Sequence, residues 1–468
     1  MSNEASPTGA SFPLAADRLE RRMADAHPAL TEAQAIAEAN RCLYCHDAPC
    51  ITACPTEIDI PEFIRKIATK NYRSSAKTIL ESNALGLSCA RVCPVEVLCA
   101  GACVFNHLDR PPIEIGRLQR FSTEWVYDRK VQVFKRGTPN GRRVACIGAG
   151  PASLACAAEL AQLGYSVTIF EGRELPGGLN TTGVAPYKLF SEDALREVEY
   201  ILSIGGIDLL LGRWIGREGF KDLERNFDAI FLGVGLGRDS RLRVPGEDVE
   251  GVFGAVQLIE LLKNKAAAEL PWVEAVKSAV VVGGGNTSID VVRELRKLGV
   301  ARVTLVYRRG EAEIPAYAHE VRAARAEGVE LMFHAQSVAV AGEKGRVRGL
   351  QVVRTRAGQQ GPHGRPNLET IPGSEVMLDA DLIAVAIGQE MLEELLAGVP
   401  GLQLEHGRVI VDAKSGQTTH PKYFSGGDCA NGGKEVVNAA AEGKRAAKGI
   451  HAWIGTSSAS PALASASR

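Results

Sequence analysis

Net charge is almost absent from this 468-residue chain, in which 54 lysines and arginines face 55 aspartates and glutamates. A balanced surface offers no electrostatic grip on nucleic acid or on an anionic membrane. Long apolar runs are missing as well. The longest, around Ser278–Val282, are strand-sized, so no membrane span is expected. No secretory h-region opens the sequence, and a chain of this length buries an ample core without covalent staples. A disulfide framework is therefore not expected, and a cytoplasmic location is. Cysteine is missing between residues 157 and 428, which excludes a redox-active pair from the middle of the chain.

The cysteines that are present are concentrated. Eight of the eleven lie within the first 103 residues, as Cys42-x2-Cys45-x4-Cys50-x3-Cys54-Pro55 and Cys89-x3-Cys93-Pro94-x4-Cys99-x3-Cys103. Short spacings let thiolates from one loop converge on one metal centre. Structural zinc could use the same donors. A Cys-Pro pair closing such a run marks two-cluster ferredoxins, and eight soft ligands suit two 4Fe–4S clusters. In those ferredoxins the last cysteine of each run serves the other cluster. Cys42, Cys45, Cys50 and Cys103 then form one set, and Cys54, Cys93 and Cys99 the other. Spacing alone offers Cys89 as the eighth ligand. Cys146 and Cys156 read as small buried hydrophobes, and Cys429 as a packing residue beside Asp428.

Residues 1–30, with Pro7, Pro13 and Pro28, read as a loosely ordered lead-in. Thr31 opens a helix that delivers Cys42. Pro61 to Leu80 reads as a second helix, apolar along Phe63, Ile64, Ile67 and Ile79, and Ile115 to Val126 as a third. From Val144 strands and helices alternate, the signal for parallel sheets. The expected fold is α/β: a helical domain with two 4Fe–4S clusters (1–137), then two Rossmann-like nucleotide-binding domains. The first is split into 138–255 and 385–455 around a second at 256–384. A Ser/Ala-rich tail at 456–468 is expected to be disordered.

The strand–loop–helix plan occurs twice. In Gly148-x-Gly150-x-x-Ser153 the first glycine makes the tight turn and the second lets a pyrophosphate approach the backbone. The small third residue lets the helix pack on the sheet. Glu171, at the end of the next strand, is placed to accept ribose hydroxyls. Gly283-Gly284-Gly285-Asn286-Thr287-Ser288 repeats the geometry. Its next strand ends in Tyr307-Arg308-Arg309 with no acid, which suits a 2′-phosphate and hence NADPH. Gly426-Gly427-Asp428, followed by a helical stretch from Val436, reads as the flavin end of a split site. There Asp428 holds the ribityl chain and a helix N-terminus faces the isoalloxazine. These features assign the first loop to FAD and the second to NADPH.

These stretches resemble a known family. Arg41-Cys-Leu-Tyr-Cys-His-Asp-Ala-Pro-Cys50, Ala84-Leu-Gly-Leu-Ser-Cys-Ala-Arg-Val-Cys-Pro94, Ile115-Gly-Arg-Leu-Gln-Arg-Phe121 and Ile147-Gly-Ala-Gly-Pro-Ala-Ser153 are similar to the FAD and NADPH half of dihydropyrimidine dehydrogenase. They also resemble the separate electron-input subunit of the bacterial enzyme and the small subunit of glutamate synthase. Cys-His-Asp-Ala-Pro-Cys favours the pyrimidine branch. The resemblance implies the disulfide-reductase type of double Rossmann fold, with electrons passing from NAD(P)H through FAD and two 4Fe–4S clusters. The acceptor would be an FMN- and Fe–S-containing partner subunit that reduces uracil or thymine. A stand-alone NADPH:acceptor reductase is a further alternative. The resemblance also implies Gln119, rather than Cys89, as the eighth cluster ligand. It carries FAD contacts onto Val92, Gly150, Pro151, Ala152, Ser153, Leu154, Glu171, Gly177, Gly178, Leu179, Lys188, Gly427, Asp428 and Glu435. NADPH contacts fall on Gly284, Gly285, Asn286, Thr287, Arg308, Arg309, Ala386, Ile387 and Gly388. Ile314-Pro315-Ala316 stands where NADPH-specific relatives carry another basic residue, which leaves NADH open.

Overall fold

A computed structural model describes residues 12–360 and 366–459. In the cysteine-rich part Thr31 caps the helix Glu32–Ala39 in a reciprocal capping box with Gln34, the sequence signature for a helix start. The expected helix from Pro61 to Leu80 is instead two, Ile60–Ala68 and Tyr72–Ser82. The break is at Lys70, which adopts a left-handed φ of 59°. Reversal there folds Phe63, Ile64 and Ile67 back onto Ile79 in one buried cluster, and the Ser75 hydroxyl donates to the Phe63 carbonyl (2.8 Å). One long helix could not bring both apolar faces together. The helix Ile115–Asp128 completes this core.

The lead-in also departs from expectation. Residues 1–11 lie outside the described residues, but 12–30 are tied down. Leu19 and Arg18 are buried, and Arg18 pairs with Glu20 and Glu192. Asp25 accepts from Arg91 and Arg120, and Ala26 N–H donates to the Tyr187 carbonyl. The prolines deny this segment a long helix, not tertiary hydrogen bonds. The C-terminal helix runs Val436–Ala459 and so takes in the first four residues of the expected tail. A Ser/Ala composition does not oppose a helix. Residues 460–468 lie outside the described residues.

Two five-stranded parallel sheets follow. The first has the order Tyr423–Ser425, Ala229–Leu232, Arg143–Ile147, Ser166–Phe170, Ile207–Leu210. The second has Val252–Gly254, Leu382–Val385, Ser278–Val282, Arg302–Val306, Glu330–Met332. The chain crosses between them twice. The crossings run side by side, with Ser240 N–H on the Gly388 carbonyl and Gly237 N–H on the Glu390 carbonyl. They lie outside the expected divisions at 255/256 and 384/385. An antiparallel layer that the periodicity did not suggest joins the second sheet. Its strands Ala335–Glu343 and Arg346–Gln360 meet at Lys344-Gly345, both with positive φ, the backbone a tight hairpin needs. No helix among the described residues is long and apolar enough to cross a membrane.

The cysteine-rich part is joined to the first sheet through Glu197, on the helix Ser191–Leu202. Its buried carboxylate accepts N–H groups of Leu87 (2.8 Å) and Ser88 (3.3 Å) and the Ser88 hydroxyl. It thereby caps the helix Gly86–Val92, which leads into Cys93. Burial nevertheless pushes this carboxyl up to about 7 against those donors. A folded-state value above the ordinary 4.5 means that the folded protein binds the proton more tightly than the unfolded chain. Stability from this group is present below pH 4.5 and is lost as pH rises through 7. Thermal unfolding should show about 2–3 kcal/mol of such loss between pH 5 and pH 8, and Glu197→Gln should remove that slope. An unchanged slope in the variant would assign the pH dependence elsewhere.

Candidate functional site

Cys42, Cys45, Cys50 and Cys103 line one apolar cavity with Leu43, Ile60 and Phe105. Tyr44, at φ 50°, turns the chain between the first two, and the short helix Pro49–Thr52 presents Cys50. Cys99 lies beside Cys54, and Cys93 beside both. Among the described residues no three His, Cys, Asp or Glu side chains close on one point as ligands of a single ion would. The first set instead stands around a cavity, the arrangement that fits a multi-iron cluster. Burial pushes the thiols of Cys50 and Cys99 up to about 12, so these protons must leave when metal binds.

Both candidates for the eighth ligand are close by. Cys89 is buried one turn before Cys93, and the two thiols are neighbours. The Gln119 side-chain N–H donates to the Gly86 carbonyl (2.7 Å) on the same helix. Its side-chain oxygen, the atom a metal would take, has no donor among the described residues. Val92 ends that helix.

The first glycine loop is a backbone cradle. A Cβ on Gly148 (φ 91°) would stand 2.5 Å from the Gly233 carbonyl, and one on Gly178 would stand 2.8 Å from the Gly150 Cα. Only glycines allow these approaches. Pro151 opens the helix Pro151–Gln162 at the position where a missing N–H costs nothing. Ala152, Ser153 and Leu154 are buried beneath the loop. The Ser153 hydroxyl has no partner among the described residues. Glu171 accepts the Ala149 N–H and the Arg173 N–H, both at 2.8 Å, so the ribose-type acid is held against the loop. Gly177 (φ 104°) turns the chain into the short helix Leu179–Thr182.

From the other end of the chain, Gly427 (φ 77°) sets Asp428 beside this cradle, and the Gly427 N–H is held by Glu442. Burial raises the Asp428 carboxyl above its usual range. The helix Val436–Ala459 then packs so closely on Pro151–Gln162 that a Cβ on Gly443 would stand 2.0 Å from the Ala152 carbonyl. Lys188 stands between Asp290 and Glu320, at 2.6 Å from each.

The second loop repeats the cradle. A Cβ on Gly283 would meet the Ala386 carbonyl at 2.2 Å, whereas the spaces at Gly285 and Gly388 are open. Gly284 lies under the Tyr307 ring, and Asn286 and Thr287 open the helix Asn286–Lys297. Ile387 is exposed. The two arginines differ. Arg309 is paired with Glu313 (3.0 Å) and with the Pro366 carbonyl. Arg308 is exposed, and its guanidinium has no partner among the described residues. Sequence reasoning missed Tyr317. Its N–H donates to Asn286 (3.0 Å) and its hydroxyl to Glu435 (2.7 Å), which joins the second loop to the head of the C-terminal helix. His319, stacked on it, reaches Glu96 of the second cysteine run (3.4 Å). Pro315, just before the helix Ala318–Ala326, was the single local signal. Cys146, Cys156 and Cys429 are buried as packing residues.

Residues 19–131 match the family model described as dihydropyrimidine dehydrogenase domain II, 4Fe–4S cluster. Residues 142–443 match that of pyridine nucleotide-disulphide oxidoreductases. The chain belongs to the pyridine nucleotide-disulphide oxidoreductase family. This family member is 34% identical over 437 residues to the glutamate synthase [NADPH] small chain of Escherichia coli, covering 91% of this chain and 92% of the relative. It is also 34% identical over 428 residues to the NAD-dependent dihydropyrimidine dehydrogenase subunit PreT of Salmonella typhimurium, covering 91% and 96%. Among solved structures it shares its fold with FprA of Mycobacterium tuberculosis, at TM-score 0.57 and 19% identity over 68% of this chain and 85% of that one. As a family member with an iron–sulfur domain, it is a flavin- and NAD(P)-dependent oxidoreductase that uses FAD and 4Fe–4S clusters. Equal identity to relatives from two branches shows the family without choosing the branch.

Cys42→Ser should remove about four of about eight irons per chain, measured by iron assay and by the low-temperature EPR signal of the reduced protein. Gln119→Leu should disturb the other cluster and Cys89→Ser leave both intact. The reverse pair of outcomes would make Cys89 the ligand.

Proposed function

We propose that this chain is the electron-input subunit of a dihydropyrimidine dehydrogenase, passing electrons from NAD(P)H to an FMN- and Fe–S-containing partner subunit that reduces uracil or thymine. The observation that carries the electron route is the junction at Tyr317, where the second glycine loop, the head of the C-terminal helix and the second cysteine run come within hydrogen-bonding or ion-pair reach. The pyrimidine branch rests on the Cys45-His-Asp-Ala-Pro-Cys50 run and on the PreT relative. The glutamate synthase relative supports the small subunit of that enzyme as a second reading.

Bound at these loops, FAD would supply the conversion of a two-electron hydride into single electrons, and 4Fe–4S clusters would supply one-electron carriers. The chain's own residues bind and orient. Gly148, Gly150 and Gly178 leave backbone open to the FAD pyrophosphate, Glu171 receives a ribose, and Asp428 holds the ribityl chain. The N-terminus of Val436–Ala459 offers N–H groups to negative charge on the flavin ring. Gly283, Gly285 and Gly388 admit the dinucleotide, and Arg308 takes the 2′-phosphate. No side chain here needs to act as general acid or base, since rate comes from positioning the two rings.

Anaerobic capture of the partner from the source cell, with assay of the complex against uracil and against 2-oxoglutarate plus glutamine, decides between the readings. A complex active only in the second assay sinks the pyrimidine assignment. Arg308→Ala should lower the ratio of kcat/KM for NADPH over NADH by at least about tenfold, the worth of one charge-assisted contact. Arg309→Ala, already committed to Glu313, should change it by less than about threefold. An unchanged ratio in Arg308→Ala would make that arginine part of a solvated turn.

A further inference from the structure

Hydride transfer needs no base, but the return of the flavin to its oxidised form does. NAD(P)H and oxidised flavin give NAD(P)+ and a flavin that holds two more electrons and the transferred hydrogen on N5. Two 4Fe–4S clusters accept one electron each and no proton. When both electrons have left, the N5–H bond has broken. For every hydride received, one proton must therefore pass from the flavin to a base.

N5 receives the hydride, so it must face the nicotinamide and hence the second glycine loop. Glu435 is tied to that loop. Tyr317 donates its hydroxyl to Glu435 (2.7 Å) and its N–H to Asn286 (3.0 Å). The Glu435 carbonyl accepts the N–H groups of Asn438 (2.9 Å) and Ala439 (3.2 Å), which fixes its backbone at the head of the helix Val436–Ala459. Tyr317 occupies one carboxylate oxygen, and the second has no donor among the described residues. The neighbouring carboxylates are committed elsewhere. Asp428 accepts the Lys434 N–H (3.3 Å) and is the residue for the ribityl chain. Glu442 accepts the Gly427 N–H (2.7 Å) and the Asn431 side-chain N–H (2.9 Å). Glu435 is half-buried, so a proton received there can pass on to water. We infer that Glu435 is the base that takes the N5 proton as the clusters draw off the electrons, and that Tyr317 positions it. The inference rests on FAD occupying the first loop and NAD(P)H the second, as proposed above.

The test is a single anaerobic turnover of the full chain, loaded with FAD and iron, with one equivalent of NADPH or NADH. Flavin absorbance is followed by stopped flow. Bleaching reports arrival of the hydride, and recovery reports departure of the electrons and the proton. Glu435→Gln keeps an acceptor for the Tyr317 hydroxyl but cannot take a proton. The ratio of its recovery rate to its bleaching rate should fall by at least about tenfold. Glu435→Ala should show the same fall. Added formate, a carboxylate small enough for the vacated space, should speed recovery in Glu435→Ala and not in Glu435→Gln. An unchanged ratio in both variants would hand the proton to water and overturn the inference. A fall that formate does not relieve in Glu435→Ala would make the residue a support for the helix head, and overturns it as well. If the unsubstituted chain is not bleached by either nucleotide, or bleaches and does not recover, the nucleotide placement or the electron route has failed instead.

Discussion

The buried ammonium of Lys188 governs how the two nucleotide sheets face each other. It projects from the first sheet's unit between Asp290 and Glu320 of the second. Beside it Tyr187, fully buried, donates to Asp290 and lies under the Arg293 guanidinium at 4.9 Å. On the other flank Lys263, also fully buried, donates to the carbonyls of Asn180 and Val184, and burial lowers it to about 8. Separating a buried charge from its partners costs several kcal/mol because it is left uncompensated. Rotating one sheet against the other would strand all of these groups together. A rigid mutual orientation is what two stacked rings need if hydride transfer depends on placement.

The same constraint makes sense of the missing dithiol. A flavoprotein that reduces a disulfide on its own chain must present its flavin to that disulfide as well as to the nicotinamide. This chain has no cysteine between residues 157 and 428, and its cysteine runs are fastened to the first sheet through Glu197 and to the second through Glu96 and His319. The three parts form one junction around Tyr317 and Glu435.

Local signals in the sequence were dependable wherever a local rule sufficed. The capping box at Thr31 and the glycine turns at Gly148 and Gly283 each follow from spacing over a few residues. The break at Lys70 was not legible, because no glycine or proline marks it and only the tertiary core decides that the chain reverses. The lead-in looked loose because prolines suppress regular structure, and its ordering comes from Arg18 and Asp25 pairing with residues far along the chain. Arg308 and Arg309 looked equivalent as neighbours. They part because one reaches Glu313 and the other does not. Tyr317 carried no motif, since its role lies in joining segments that sequence separates widely.

The insertion of one sheet within the other sets an order of assembly. Ser425 on the edge strand of the first sheet bonds to Leu232 across 193 residues of sequence, and the whole second sheet lies between them. On a chain emerging from the ribosome, every strand of the inserted unit is available before the outer sheet can close. Asp428 and the helix Val436–Ala459 come later still. The outer cradle, which draws on Gly148 and on Asp428, is completed only after the inserted unit, so its dinucleotide meets a second sheet that is already made.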